Sequence, residues 1–232
     1  MLPLSEAVAP LAVLPEAVIF DMDGLMLDSE RASVRCWARA ASEVGLQIEH
    51  AYWLRMVGHS TAACEQILGE RMDPTRIAQL MARCNVLYDA EVEAGLPLRP
   101  GIVELLQWLQ AHHIPRGVAT STRRPRAPHK LDAAGLLPYF HSVTAGNDVA
   151  HPKPAPDIYL LAAQRIGVPP SRCLALEDSP AGVRAALAAG MTVIQVPDLV
   201  APDDAQRALG HRIVDSLLDV RALLAAQVAM HR

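Results

Sequence analysis

The chain has 232 residues with 51% hydrophobic and 4% aromatic side chains, and its formal net charge at pH 7 is −4. A half-apolar composition excludes an intrinsically disordered chain, and this length is enough to bury a core without disulfide or metal staples. The mildly acidic balance argues against a nucleic-acid-binding surface, and no apolar stretch reaches the roughly 18–20 residues of a membrane helix.

The N-terminal part of the chain predicts one buried strand followed by helices. At roughly 150 residues per domain, the length corresponds to about one and a half domains. The continuous apolar run Ala17–Asp21 is typical of a strand that is buried on both faces of a sheet. Helical periodicity then extends over Ser29–Val44, resumes at Ser60 or Thr61, and continues in a helix that Asp73 caps and Gly95 ends.

Beyond residue 101 strands alternate with helices, which predicts right-handed crossovers and a parallel sheet. The predicted strands are Gly117–Thr120, Ser142–Ala145, Cys173–Glu177, Thr192–Val196 and a short one near Ile213. The predicted helices are Ile102–Ala111, one that runs toward Gly135, Pro156–Ile166, Ala181–Ala189 and a terminal helix from about Ser216. We therefore expect an α/β fold with a Rossmann-like parallel-sheet core (residues 1–29 and 97–232) and an all-helical insert (residues 30–96).

Polar side chains follow four of the predicted strands. Because ligands collect at the carboxyl ends of parallel strands, we expect these side chains to converge on one crevice. They are Asp21, Asp23 and Gly24 after the first strand, Thr120, Ser121 and Thr122 after the second, Lys153 after the third, and Glu177 and Asp178 at the fourth.

This set of residues is suited to phosphoryl transfer. Several carboxylates in one cleft repel each other unless a cation neutralises them, and oxygen ligands without His or Cys suit Mg²⁺. Asp21 can attack phosphorus, and Asp23 can protonate the leaving oxygen and later deprotonate water. Lys153 and Thr120 can hold phosphoryl oxygens, while the turn at Gly24 lets backbone N–H groups approach the phosphate.

The segment Phe20-Asp-Met-Asp-Gly-Leu-Met-Leu-Asp-Ser-Glu30, with Thr120, Lys153 and Glu177-Asp178, resembles the haloacid dehalogenase-like hydrolase superfamily. More narrowly, it resembles the phosphatase and β-phosphoglucomutase-like branch, in which a helical cap is inserted after the first motif. The resemblance implies that Asp21 is the nucleophile and Asp23 the general acid/base.

The resemblance also implies a set of binding residues. Thr120 and Lys153 would stabilise the phosphoryl group, and Gly24, Ser121, Thr122 and His59 would contact the phosphate or the substrate. The implied Mg²⁺ ligands are Asp21, the backbone carbonyl of Asp23, and Asp178, with Glu177 acting behind them or through water.

Two departures from the family pattern narrow the function. Dehalogenases of the superfamily carry Tyr where Asp23 stands, so the carboxylate favours phosphoryl transfer over carbon–halogen cleavage. The mutases carry His and basic residues where this chain has Ser33, Val57 and Thr61, so hydrolysis is favoured over transfer to a second site. A sugar-phosphate mutase and a catalytically silent binding homologue remain the alternatives; a receiver domain lacks the second aspartate and the helical insert.

The prediction is thus a Mg²⁺-dependent phosphatase for a small phosphorylated metabolite, such as a sugar phosphate or a phosphoglycolate-like compound. We expect a cytoplasmic monomer or homodimer without nucleic-acid or membrane partners, with four cysteines as buried free thiols. Two features of the insert stay open. Tyr52, Trp37 and Trp53 can line a substrate pocket or pack the interior of the insert, and His59 can contact substrate or solvent.

Overall fold

A computed structural model describes residues 13–57 and 61–230. The strands are β1 (Ala17–Phe20), β2 (Arg116–Ala119), β3 (Ser142–Thr144), β4 (Cys173–Glu177), β5 (Thr192–Gln195) and β6 (Arg212–Ile213). The α-helices before β2 are α1 (Ser29–Glu43), α2 (His50–Leu54), α3 (Thr61–Gly69), α4 (Pro74–Glu93) and α5 (Ile102–Ala111). Those after it are α6 (Arg126–Ala133), α7 (Asp157–Ile166), α8 (Pro180–Ala188), α9 (Asp204–Arg207) and α10 (Leu217–Met230).

The six strands form one parallel sheet in the order β3-β2-β1-β4-β5-β6, which confirms the predicted α/β fold. In this order β1 lies between β2 and β4, where the direction of winding reverses. Connections leave the two sides of such a reversal in opposite directions, so a crevice opens at the carboxyl ends of the strands. The predicted site residues lie at these carboxyl ends or in the loops that follow them.

The central strands β1, β2 and β4 are buried along their whole length, as the continuous apolar run of β1 predicts, whereas the strands β3 and β6 are only partly buried. All four residues of β1 are fully buried. Ala17 and Ile19 belong to a core cluster that also contains Ile158 and Val183 from the helices α7 and α8. Because successive side chains of a strand point to opposite faces, Val18 and Phe20 point to the other face of the sheet.

Residues Asp28–Pro97 form one compact unit, which contains α1 to α4, and the sheet with the remaining helices forms the other. The helical unit begins two residues before the predicted insert and ends one residue after it. Within it, α1 packs along α4. Asp73 caps α4 by accepting hydrogen bonds from two backbone N–H groups of the first turn, as its position before Pro74 predicts. The short helices α2 and α9 were not predicted, because five and four residues are too few to show a helical period.

The four cysteines are buried free thiols, as predicted. None of the helices in the described part of the chain combines the length and the apolar character that crossing a membrane requires. Among the residues that the structure describes, the core therefore contains no disulfide, and its buried residues are mainly aliphatic side chains.

Candidate active site

Asp21 and Glu177 lie at the carboxyl ends of two neighbouring strands, β1 and β4. Phe20 pairs with Leu176 in the register of these strands, so the residues that follow stand side by side. The N–H of Asp21 donates to the carbonyl of Leu176 over 2.9 Å and extends the ladder to the first aspartate. Asp21 is 6% exposed and Glu177 is fully buried. Two carboxylates thus share a position that is poor in water and needs a counter-charge.

Lys153 supplies a positive charge to both of them. Its ammonium donates to Oδ1 of Asp21 over 2.6 Å and to Oε1 of Glu177 over 2.5 Å. Burial raises the pKa of Asp21 above its usual range, the positive charge of Lys153 opposes this rise, and the negative charge of Glu177 adds to it. Burial also disfavours the charge on Lys153, but the two carboxylates outweigh it and raise the pKa of the lysine above its usual range. Lys153 is therefore a cation at neutral pH, held against Asp21.

Both oxygens of Glu177 accept several hydrogen bonds from the protein. Oε2 accepts from the N–H groups of Asp178 and Ser179 over 3.0 and 2.9 Å, and from the Ser179 hydroxyl over 2.9 Å. Oε1 accepts from the Tyr159 hydroxyl over 2.8 Å, in addition to Lys153. Burial and the nearby carboxylates raise the pKa of Tyr159, so its hydroxyl stays protonated and donates. Glu177 therefore ties the loop after β4 to Lys153.

Asp21, Glu177 and Asp178 form an acidic group that fits a divalent metal ion. Each offers a carboxylate oxygen, and these atoms lie within 4.8 Å of one another. Gly24 is placed directly against Asp178: a Cβ atom built on it would lie 2.9 Å from the Asp178 Cγ and would overlap Oδ2. Gly24 also has φ +81°, a conformation that glycine adopts most readily. Among the described residues, the Asp23 carboxylate is not part of this acidic group.

The Asp23 side chain instead contacts Thr122 and Lys130. The hydroxyl of Thr122 donates to Oδ2 over 2.6 Å, and the ammonium of Lys130 contacts Oδ1. The Asp23 side chain is 24% exposed, whereas Lys130 is only 3% exposed. Asp21 and Asp23 are thus each paired with a different lysine, although they are two residues apart.

The segment after β2 is held by the segment after β3. The Thr120 N–H donates to the carbonyl of Thr144 over 3.0 Å, and Gly146 donates to the carbonyl of Thr122 over 3.0 Å. A Cβ atom on Gly146 would lie 2.9 Å from the carbonyl carbon of Ser121, so the two segments touch through their backbones. Thr120 is 1% exposed, and its Oγ1 accepts the N–H of Thr122 over 3.1 Å. Its hydroxyl proton can therefore serve another acceptor, while Ser121 is exposed.

The predicted substrate residue His59 lies outside the described residues. Within the helical unit, Tyr52 and Trp53 are 2% and 1% exposed, and the rings of Trp37 and Trp53 stack with centroids 6.2 Å apart. Tyr52 and Trp53 are therefore packed inside the helical unit, and Trp53 also lines a small pocket with Trp37.

The structure adds residues that the sequence analysis missed. Lys130 contacts Asp23, Tyr159 donates to Glu177, and Gln195 donates from its amide to the carbonyl of Asp178 over 2.9 Å. One signal was available for Lys130: of the 21 Lys and Arg residues in the chain, only Lys130 and Lys153 are lysines. The sequence pattern does not mark Tyr159 or Gln195 as site residues, because each lies in a predicted helix or strand whose other residues belong to the core.

Comparison with known proteins agrees with this geometry. Residues 15–190 match the model of the haloacid dehalogenase-like hydrolases. The protein CbbY of Rhodobacter capsulatus is 33% identical over 214 residues, which cover 86% of this chain and 93% of that protein. Fructose-1-phosphate phosphatase YqaB of Escherichia coli is 35% identical over 183 residues, which cover 77% and 95%.

A solved structure, that of CbbY from Rhodobacter sphaeroides in complex with phosphate, superposes with a TM-score of 0.70 at 30% identity and covers 88% of this chain and 95% of that one. The family match spans most of the chain and contains the four motifs together with the strands β1 to β4. The chain therefore belongs to the haloacid dehalogenase-like hydrolase family and, within it, to the branch of phosphoric monoester hydrolases.

Proposed function

We propose that this chain is a Mg²⁺-dependent phosphatase that hydrolyses a small phosphorylated metabolite through an aspartyl-phosphate. The observation that carries the proposal is the buried contact of Asp21 with Lys153, beside the carboxylate of Asp178 and at the reversal point of the sheet. A nucleophilic carboxylate must meet an anionic phosphate, and this position supplies both a fixed cation and a group of metal-binding oxygens.

The acidic group fits Mg²⁺ by its chemistry, since it consists of carboxylates and contains neither His nor Cys. Asp21 and Asp178 are the side chains that would hold the ion, together with the backbone carbonyl of Asp23. Glu177 would act behind them, because both of its oxygens already accept hydrogen bonds from the protein. Mg²⁺, when bound, neutralises charge on the phosphoryl oxygens and makes phosphorus easier to attack.

The residues of the chain divide the reaction into two steps. In the first, an oxygen of Asp21 forms a bond to phosphorus, the bond from phosphorus to the ester oxygen breaks, and Asp23 gives that oxygen a proton. In the second, water attacks phosphorus, Asp23 accepts a proton from the water, and the bond to Asp21 breaks to release inorganic phosphate. Lys153 and the Thr120 hydroxyl orient the phosphoryl oxygens throughout.

We infer further that the helical unit Asp28–Pro97 is a cap that selects the substrate. YqaB is named a fructose-1-phosphate phosphatase and another relative, from Thermotoga maritima, a phosphorylated carbohydrates phosphatase, which supports a sugar phosphate as substrate. Ser121, Thr122 and His59 are the proposed contacts to substrate or phosphate. Four reduced thiols support the proposed location in the cytoplasm.

The test is release of inorganic phosphate from a panel of sugar phosphates, fructose 1-phosphate and phosphoglycolate, with Mg²⁺ and with EDTA. We expect release that requires Mg²⁺ and falls at least about a thousandfold in D21N, as loss of a nucleophile does elsewhere. D219N, on the exposed side of α10, is the matched control and should keep wild-type activity. Isomer formation without phosphate release would instead identify a mutase, and D21N as active as wild type would contradict the assigned nucleophile.

A further inference from the structure

Lys130 is a buried lysine directed at the Asp-x-Asp motif. It lies on α6 with 3% of its side chain exposed, and its ammonium contacts Oδ1 of Asp23. A lysine side chain is seldom buried, because removing its charge from water is costly unless a partner compensates for the loss. The carboxylate of Asp23 is such a partner, and it compensates for part of the cost of burying the Lys130 charge.

The choice of lysine at this position stands out from the rest of the chain. Arg provides 19 of the 21 Lys and Arg residues, and the two lysines are Lys130 and Lys153. The side chains of both are at least 95% buried, and each contacts one aspartate of the motif, Lys153 Asp21 and Lys130 Asp23. Lysine carries a compact point charge on a flexible stem, whereas the guanidinium of arginine is wider and planar. Each aspartate of the motif is thus contacted by a lysine, whose compact ammonium fits beside a carboxylate in a buried position.

The two oxygens of Asp23 are held by different donors. Thr122 donates to Oδ2 over 2.6 Å, and Thr122 is itself fixed because its N–H donates to Oγ1 of Thr120. Lys130 holds the other oxygen from the helix that follows this loop. A carboxylate that accepts from a hydroxyl on one oxygen and contacts an ammonium with the other is held in a fixed plane.

We infer that Lys130 is a positioning residue that orients the Asp23 carboxylate to take the proton from the attacking water. The inference rests on the proposed function and deepens it, because it assigns Lys130 to the second step, hydrolysis of the aspartyl-phosphate. The first step depends on Lys130 less when the leaving group needs no proton, as with p-nitrophenolate. With such a substrate, loss of Lys130 should therefore slow hydrolysis of the aspartyl-phosphate more than its formation.

The experiment is rapid-mixing kinetics of K130M with p-nitrophenyl phosphate and Mg²⁺. We expect a burst of about one nitrophenolate per enzyme, followed by a steady-state rate lowered about 10- to 100-fold, a part of the roughly 100- to 10,000-fold that a positioned acid or base contributes. The value of kcat/KM, which reports the first step, should stay within about threefold of wild type. K130R should recover part of kcat because it keeps a cation.

R221M is the matched control, since Arg221 is an exposed cation on α10 and its loss should change neither constant. Equal losses in kcat and kcat/KM in K130M, or no loss in either, would overturn the positioning role.

A second measurement does not depend on turnover. Selective ¹⁵N labelling of lysine gives two side-chain ammonium signals, one for each lysine, and K130R assigns them. We expect D23N to shift the Lys130 signal by more than that of Lys153. An unmoved Lys130 signal overturns the inference even if K130M does not fold. Absence of nitrophenolate release from the wild-type enzyme contradicts the proposed function instead, so the two failures are distinguishable.

Discussion

Gly24 and Asp178 lie so close that a Cβ atom on Gly24 would overlap Oδ2 of Asp178 and stand 2.9 Å from its Cγ. The glycine follows β1 and the aspartate follows β4, so the contact joins the first and the last of the family's motifs. The absence of a side chain at Gly24 therefore allows the turn after Asp21 to lie against the carboxylate of Asp178.

We expect G24A to displace Asp178 and to weaken Mg²⁺ binding and phosphatase activity together. G190A is the matched control, because Gly190 has φ +77° and nothing within 4 Å of a Cβ atom. Both substitutions carry the cost of a left-handed backbone, about 1 kcal/mol. Isothermal titration with Mg²⁺ and urea unfolding separate the two effects. If G24A and G190A bind Mg²⁺ equally well, the contact has no bearing on the metal site.

Glu177 supports the loop after β4, and E177Q should destabilise the protein by about 2 kcal/mol or more, because a buried lysine loses one of its two carboxylates. The amide nitrogen of glutamine also cannot accept the hydrogen bonds that one carboxylate oxygen receives. E16Q makes the same change in an ion pair with Arg172 whose side chains are 48% and 62% exposed. Exposed pairs contribute about 1 kcal/mol or less, so E16Q should have little effect in urea unfolding. Equal effects of the two substitutions would contradict a supporting role for Glu177.

Binding of Mg²⁺ should stabilise the folded protein. A ligand at 100 times its dissociation constant adds about 2.7 kcal/mol to the free energy of unfolding. We expect Mg²⁺ to raise the thermal midpoint of the wild type and of D219N, and EDTA to reverse the rise. D178N should lose the response, because the acidic group then lacks one of its three carboxylates. A rise of the same size in D178N would place the ion elsewhere.

Asp148 should make stability depend on acid pH. Burial by itself would raise the pKa of Asp148, but hydrogen bonds from Arg165, the Ala145 N–H and Arg124 outweigh it and lower the pKa to about 2. A lowered pKa stabilises the fold above the value of the unfolded chain, near pH 4, and this contribution is lost as the pH falls toward 2. Urea unfolding should therefore show D148N less stable than wild type by on the order of 1–2 kcal/mol at pH 6, with a smaller difference at pH 3. A difference that is constant from pH 6 to pH 3 would contradict the lowered pKa.

The site was predictable where a chemical group follows a strand directly. Asp21 continues the backbone ladder of β1, and Glu177 is the last residue of β4, so their positions follow from the strands themselves. Lys153 was placed in the crevice by its loop and its family motif. Lys130 was not placed there, because it lies on a helix and its direction depends on how α6 packs, which the local sequence does not encode.

By itself, the sequence determined the parallel sheet, the helical insert and the set of residues at the strand ends. These follow from short-range physics: apolar runs bury strands, periodic apolar residues form helices, and parallel strands end at one edge. Only the tertiary structure decided which lysine pairs with which aspartate. Pairing of Lys153 with Asp21 and of Lys130 with Asp23 spans more than 100 positions of the chain, and burial gives these distant contacts their strength.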